Sequence, residues 1–558
     1  MNRGVALALL AVVLCQGVLV ALMFTPAPHT GGDNAAYVSL AHSLTEEGAY
    51  RELWTAGEPP HSKYPPVFPL LLGLPLLLGV KGWVGLKMVP VLCTLLAGVF
   101  TFLWVREREG VAPAAGVALL VALSDGVLDY SRWILSDPTF LALTVAGLWA
   151  LERARGRRTG SAAPTAPREG WVVLGLAFVL MAYFTRSAGI PLVVAALLWL
   201  ALERQWRAGG AFLAVFGILA ALWWWRGRIP GEGAYASEFL LLDPYQPELG
   251  RVGVGDMLGR MGENAVAYVT RLIPEGVVGL EGPLLGVLGI GLVLLALVGW
   301  LRALWKDRGP AELFLPLYSG LLLLWPVVWS GDRFALPLLP LLFFYAATAL
   351  FWILGPRKGA LRTAVAGFAF LLLALPALKS WSVEVRSARQ CAPLAREAPY
   401  ACYGSTVQEY AALARWAGRN LPGGVSVITR KPRIFFLLGG VKAQSLPFTT
   451  EAETFLEAAR TLGSRYATLD RWDGLSRHYL GSVIRSRPGV FCHVTGVAPQ
   501  GEVGTQLLGI LPGEGESAGR GEQVRLEPCP GAMTLSEARD LPSVPPGDIP
   551  LLVWGVRR

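Results

Sequence analysis

Long apolar runs recur along the chain, separated by short polar stretches. Runs able to cross a bilayer cover 5–24, 88–105, 111–128, 134–151, 170–184, 188–203, 209–225, 283–304, 312–329, 334–354 and 361–379. A crossing helix needs about 20 largely apolar residues, so the shorter runs define their ends only loosely. PPVFPLLLGLPLLLGV, at 65–80, is apolar too, but it is brief and holds four prolines. It predicts an interfacial or re-entrant helix, not a span. The N-terminal run is long for the core of a signal peptide and lacks a small-residue cleavage site, and Cys15 follows a leucine. It predicts an uncleaved first span.

Arginine and lysine decide the orientation. With 65–80 left out and the N-terminus inside, REREG (106–110), 152–169, ERQWR (203–207), RALWKDRG (302–309) and GPRKGALR (355–362) all face the cytoplasm. Counting 65–80 as a span turns these clusters outward, against the positive-inside bias. Eleven spans follow, with external loops at 25–87 and 226–282 and an external region from 380. The chain divides into a membrane domain, 1–380, and a C-terminal domain, 381–558.

The C-terminal region has a different pattern. VQEYAALARWAGRNLPGG has helical spacing and a glycine stop, and TEAETFLEAARTLG is helical again. VSVIT (425–429), YATLD and VFCHVTGV read as strands. This predicts a small α/β domain. The Gly/Pro-rich tail beyond about 500 reads as partly irregular. No internal repeat is visible.

Composition agrees: 53% of the 558 residues are hydrophobic and 16% charged. The net charge of +9 lies largely in loops between apolar runs, so it reads as a topology signal before nucleic-acid binding. Cys391, Cys402, Cys492 and Cys529 fall in the external region, where two disulfides are permitted; four free thiols remain the alternative.

No phosphate-binding glycine loop, dinucleotide fingerprint, zinc-protease helix or paired C-x-x-C is present. The five histidines are scattered. What stands out is a set of polar residues at the external ends of spans. Asp33 follows the first. Asp125, Asp129, Arg132, Ser136 and Asp137 lie between the third and fourth. Arg186 sits between the fifth and sixth, and Asp332 and Arg333 between the ninth and tenth. Ionisable groups at a membrane face are costly unless paired or wet. A carboxylate there can serve as general base, and arginines can hold a phosphate leaving group. That chemistry suits group transfer from a lipid phosphate.

The ordered stretches GDNAAYVSLAHSL, KYPPVFPLLLGL, YSRWILSDPTFLAL, YFTRSAGIPLVV and DRFALPLLPLL resemble the GT-C superfamily of integral-membrane glycosyltransferases. The protein O-mannosyltransferase and aminoarabinose transferase branch is the nearest, over residues 1 to about 380. The resemblance implies a polyprenyl-phosphate sugar donor, an extracytoplasmic acceptor (lipid, glycan or protein) and an external active site. It implies Asp33 as the catalytic acid, with Tyr37 behind it and Asp137 as a second acid. Lys63, Arg186 and Arg333 become candidates for the donor phosphate. Many members carry two adjacent acids, whereas the second position here is Asn34. That speaks against a divalent metal, and no cofactor is expected. The rich use of Ala, Gly, Arg and Leu hints at a bacterial inner membrane.

Plainer readings stand beside these. Asp33 or Asp137 can cap a helix. Lys63, Lys87 and Arg333 can anchor the interface, and Tyr37, Trp54, Tyr64 and Trp223 to Trp225 suit an aromatic belt. A flippase or transporter would put charges inside spans and often shows repeated halves. An O-antigen ligase or polymerase would use arginines in a late external loop. The acid directly after the first span favours the transferase.

Overall fold

Apolar runs fold as helices because a bilayer leaves their backbone groups no partner but one another. A computed structural model describes residues 3–155, 168–228, 238–306, 308–355, 359–498, 504–511 and 526–529. Each of the eleven runs is largely helical. Among the described residues, six helices are long and apolar enough to cross a membrane: Arg3–Met23, Trp83–Glu109, Trp206–Arg226, Pro283–Lys306, Asp332–Ile353 and Gly367–Glu397. Shorter helices, Asp137–Arg155, Glu169–Thr185, Ile190–Leu202 and Pro310–Leu324, pack among them. Of the basic loops, 156–167, 307 and 356–358 lie outside the described residues.

Two predicted spans are interrupted. The run 111–128 divides into Val111–Ala122 and Asp125–Ser131, bent by 59°. Ser124 is extended there, and its hydroxyl donates to Leu120 O. The run 312–329 stops as a helix at Leu324, because Pro326 cannot continue the hydrogen-bond ladder.

The first loop is a structure in its own right. Gly32–Glu46 and Val67–Leu77 are helices packed on each other. The second, at 11 residues, is about 16 Å long, half of what a crossing needs. Its Phe68 and Leu72 are buried, and Leu70, Leu74 and Leu77 are exposed.

Several residues read as surface anchors are interior. Tyr37, Trp54 and Tyr64 are buried with residues of the C-terminal region, so an aromatic belt does not describe them. Trp224 and Trp225 are exposed. Lys87 is fully buried and donates to the carbonyls of Thr25 and Ala27, which corrects its reading as an interface anchor. Those carbonyls sit where the chain leaves the first helix, with no intrahelical donor left for them.

Helix Gly359–Glu397 runs through residue 380 without a break, 39 residues in all. Beyond it Ser405–Asn420 packs on a five-stranded sheet ordered β2-β1-β3-β5-β4. The strands are β1 (Ser426–Thr429), β2 (Lys442–Ser445), β3 (Ser464–Leu469), β4 (Phe491–Val497) and β5 (Thr505–Ile510). β1 runs parallel to β2 and β3, while β5 lies antiparallel between β3 and β4. The tail after 500, read as partly irregular, supplies an interior strand at Thr505–Ile510. Residues 499–503, 512–525 and 530–558 lie outside the described residues. Cys391 is joined to Cys402, and Cys492 to Cys529.

The C-terminal domain docks on the first loop. Ala443 N donates to Trp54 O (2.7 Å), Lys442 to Leu53 O (2.6 Å) and the Tyr403 hydroxyl to Pro28 O (2.7 Å). Trp54, Tyr410 and Phe435 share one core. The opposite helix ends carry an ionic cluster. Glu312, fully buried, meets Arg108 and accepts the Tyr345 hydroxyl (2.8 Å). Glu152 joins Arg108 (3.6 Å) to Arg155 (3.3 Å), and Arg155 reaches Glu203 (3.6 Å).

Candidate active site

A cavity of about 630 Å³ lies between the first loop, the outer helix ends and the C-terminal domain. Asp33 opens the helix Gly32–Glu46, where a carboxylate is favoured by the helix dipole. Its Oδ1 accepts the Tyr64 hydroxyl at 2.8 Å and lies 3.8 Å from Arg433. Its Oδ2 lies 3.4 Å from Arg333. Burial works against its charge. Arg333, Arg433 and the Tyr64 hydrogen bond outweigh burial and hold the carboxyl well below the usual carboxylate range.

Arg186 stands at the break after Glu169–Thr185, where Gly189 packs too close to Tyr183 to carry a side chain. It pairs with Asp137, the first residue of Asp137–Arg155, and lies 3.5 Å from Ser136 Oγ. Tyr37, one helical turn after Asp33, shares a hydrogen bond of 2.9 Å with Ser136. Burial raises the Tyr37 phenol above its usual range. Lys63 forms a two-pronged ion pair with Glu238, at 2.9 and 3.1 Å. His29 lines the same space, with Nδ1 accepting Gly31 N at 2.9 Å. Burial lowers its pKa, which favours the neutral ring.

The six predicted side chains therefore divide by position. Asp33, Tyr37, Lys63, Arg186 and Arg333 all line the cavity. Asp137 stands behind Arg186 as its counter-ion. Asp129 and Arg132 stand apart: Arg132 binds Asp129 (2.9 Å) and Glu384. Asp125 bonds Ser380 (2.8 Å), and Asp332 accepts the Tyr130 hydroxyl (2.8 Å). These four tie the broken span to neighbouring helices and are not among the cavity's lining residues.

The sequence reading missed a whole wall. Arg430, Lys431 and Arg433, at the start of helix Pro432–Gly439, face the cavity from the C-terminal domain. The signal was present as RKPR, three cations in four residues opening a helix in the C-terminal domain. The apolar wall opposite holds Leu321, Leu322, Trp325, Val328 and Trp329. Both oxygens of Asp33 face guanidinium groups, and the Asn34 amide donates to the carbonyls of His29 and Gly31. Among the described residues no group of three or more His, Cys, Asp and Glu side chains could hold a metal.

No family model matches the sequence, and no curated protein matches it. Solved structures do. The oligosaccharyltransferase AglB from Archaeoglobus fulgidus, in complex with an inhibitory peptide and a dolichol-phosphate, is similar with a TM-score of 0.53 and 15% identity. The match covers 89% of this chain and 74% of that one. ArnT from Cupriavidus metallidurans, bound to undecaprenyl phosphate, is similar with a TM-score of 0.52 and 14% identity, over 93% of this chain and 100% of that one. These neighbours are GT-C glycosyltransferases, and the chain has the GT-C fold with a C-terminal domain built on a small mixed sheet.

Proposed function

We propose that the protein is a membrane glycosyltransferase that moves a sugar from a polyprenyl-phosphate donor to an extracytoplasmic acceptor, with inversion at the anomeric carbon. The observation that carries this reading is the cavity, where Asp33 lies among cations and apolar side chains form part of the lining. A lipid tail suits the wall of Leu321, Leu322, Trp325, Val328 and Trp329, and a phosphate suits the arginines. The neighbours solved with dolichol-phosphate and undecaprenyl phosphate support a donor of that class.

The acceptor's hydroxyl or amine attacks the anomeric carbon opposite the phosphate. The carbon–oxygen bond breaks, and the phosphate leaves with the electron pair. Arg186 and Arg333 stabilise the charge that develops on it. Asp33 takes the acceptor's proton. Gripped by Arg333 and Arg433, Asp33 is a weak base. A donor phosphate that engages the guanidinium groups relieves that grip and makes the carboxylate more basic when the acceptor is in place. Tyr64 keeps Asp33 aimed through its hydrogen bond.

Asp33→Asn keeps the shape and removes the base, and transfer should fall by about 10²–10⁴-fold with expression intact. Full transfer by that variant would remove Asp33 from the chemistry. We further propose that the protein sits in a bacterial inner membrane with its N-terminus in the cytoplasm. Reporter fusions at residues 45 and 450 should both read as external; a cytoplasmic signal at either would overturn the orientation.

A further inference from the structure

We propose that His61, held by Glu52, is a positioning residue for the reaction: it fixes Tyr64, whose hydroxyl aims Asp33. The inference rests on the reading of Asp33 as the base.

Glu52 and His61 face each other across a short antiparallel turn of the first loop, at the bridge between Arg51 and Pro60. Backbone bonds already close that turn. Glu52 N donates to Pro59 O (2.9 Å) and His61 N to Tyr50 O (3.0 Å). The two side chains are nonetheless paired inside the protein. His61 Nδ1 meets Glu52 Oε1 at 2.8 Å, with the ring 0% and the carboxylate 1% exposed. Burying an imidazole and a carboxylate is costly unless their bonds are met. The turn closes without this pair, so its purpose lies beyond the turn.

Tyr64 N donates to His61 Nε2 at 2.8 Å. Nε2 therefore carries the lone pair, and the proton of the ring sits on Nδ1, facing Glu52. Burial lowers the pKa of His61. Arg433 and Lys63 act in the same direction, Glu52 acts against it, and the neutral ring is favoured. Arg226, ending the helix Trp206–Arg226, donates to His61 O (3.0 Å) and to Tyr50 O. The Tyr50 hydroxyl donates to Tyr64 O at 2.8 Å, and the Tyr64 ring stacks on His61 at 5.2 Å. Both backbone polar atoms of Tyr64 are thus held by side chains of the first loop, and Pro65 narrows its backbone further.

The phenol is then fixed as well. Arg433 donates to the Tyr64 hydroxyl (2.9 Å), which directs the hydroxyl's own proton to Asp33 Oδ1 (2.8 Å). The chain Glu52–His61–Tyr64–Asp33 sets the direction of the carboxylate. Its first two members are not among the cavity's lining residues. Loss of His61 therefore displaces the base and leaves Arg186 and Arg333 free to hold a phosphate. A reacting group displaced by a fraction of an ångström slows the reaction without weakening the binding.

The test uses the full-length protein in detergent. Bacterial membrane extract supplies undecaprenyl-phosphate sugars and acceptors, and calorimetry with undecaprenyl phosphate reads donor binding. His61→Ala should slow transfer at saturating extract by about 10–100-fold and bind undecaprenyl phosphate within about twofold of wild type. His61→Gln puts an amide oxygen where Nε2 accepts Tyr64 N, and should recover transfer to within about fivefold of wild type. His61→Asn reaches Glu52 but not the Tyr64 amide, and should be as slow as His61→Ala. A purely structural role would not separate the two amides. In a Tyr64→Phe background His61→Ala should cost nothing further, because the hydroxyl it positions is gone. The inference is overturned if His61→Gln is no faster than His61→Asn, or if His61→Ala slows the Tyr64→Phe protein as much as it slows the wild type. Should His61→Ala fail to fold, the two amide variants decide alone. Asp33→Asn at full speed would sink the reading of Asp33. An inactive Asp33→Asn beside a fully active His61→Asn would sink only the role of His61.

Discussion

Two ionic clusters occupy opposite ends of the same helices. Helix Asp137–Arg155 reaches both, with Asp137 in one and Glu152 and Arg155 in the other, and at 19 residues spans about 28 Å. At the inner end Glu312, Glu152 and Glu203 compensate Arg108 and Arg155, with Tyr345 completing the bonds of Glu312. At the outer end, Arg333 and Arg433 both lie beside Asp33, and the space between the cavity walls is open. Both ends are built from arginine and carboxylate. Openness is what separates a clamp from a site: a cluster packed shut leaves no room for a ligand, and one that lines a cavity can take one.

That contrast can be broken most sharply at the inner end. Arg108→Met leaves the buried Glu312 without its guanidinium and should cost about 3–5 kcal/mol, read as a drop in thermal stability in detergent. Replacing Glu312 with leucine in the same chain should recover much of the loss. If the single variant is as stable as wild type, the inner cluster is no clamp.

Arg333→Gln should act the other way, slowing transfer by about 10²–10³-fold while the melting temperature changes little. If it unfolds the protein instead, the outer arginines are structural and the contrast disappears. Lys63→Gln should weaken donor binding by about tenfold, since Glu238 then faces the phosphate without its counter-ion.

The smallest effect concerns pH. The folded pKa of Asp33 is depressed, so its electrostatic contribution is present above the ordinary carboxylate value, about 4, and is lost as pH falls towards the depressed one. The stability gap between wild type and Asp33→Asn should therefore be equal at pH 7 and pH 5 and narrow only below about pH 4. A gap that already narrows between pH 7 and pH 5 would show that the arginines do not hold the carboxylate.

The helices were legible because apolar periodicity is local. The motif order that singled out Asp33, Arg186 and Arg333 was legible too, since each stands next to the end of an apolar run. Arg433 was not, because its role depends on packing a domain 400 residues downstream against the first loop. Trp54 was misjudged for the same reason: a belt residue and a buried one share composition, and only the docking of residues 400–445 tells them apart, while Lys87 is buried by the chain's own exit from the first helix, at Thr25 and Ala27. The interruption at Ser124 carried no proline or glycine pair to announce it.

The helix Gly359–Glu397 has a mechanical consequence. At 39 residues it is about 58 Å long, and it joins the last membrane span to the sheet domain as one rod. A rod offers no hinge at the membrane surface except where Pro376 and Pro393 interrupt its hydrogen bonds. Torque on the C-terminal domain therefore passes along this rod into the helices it packs against, Arg3–Met23 and Ile273–Val278.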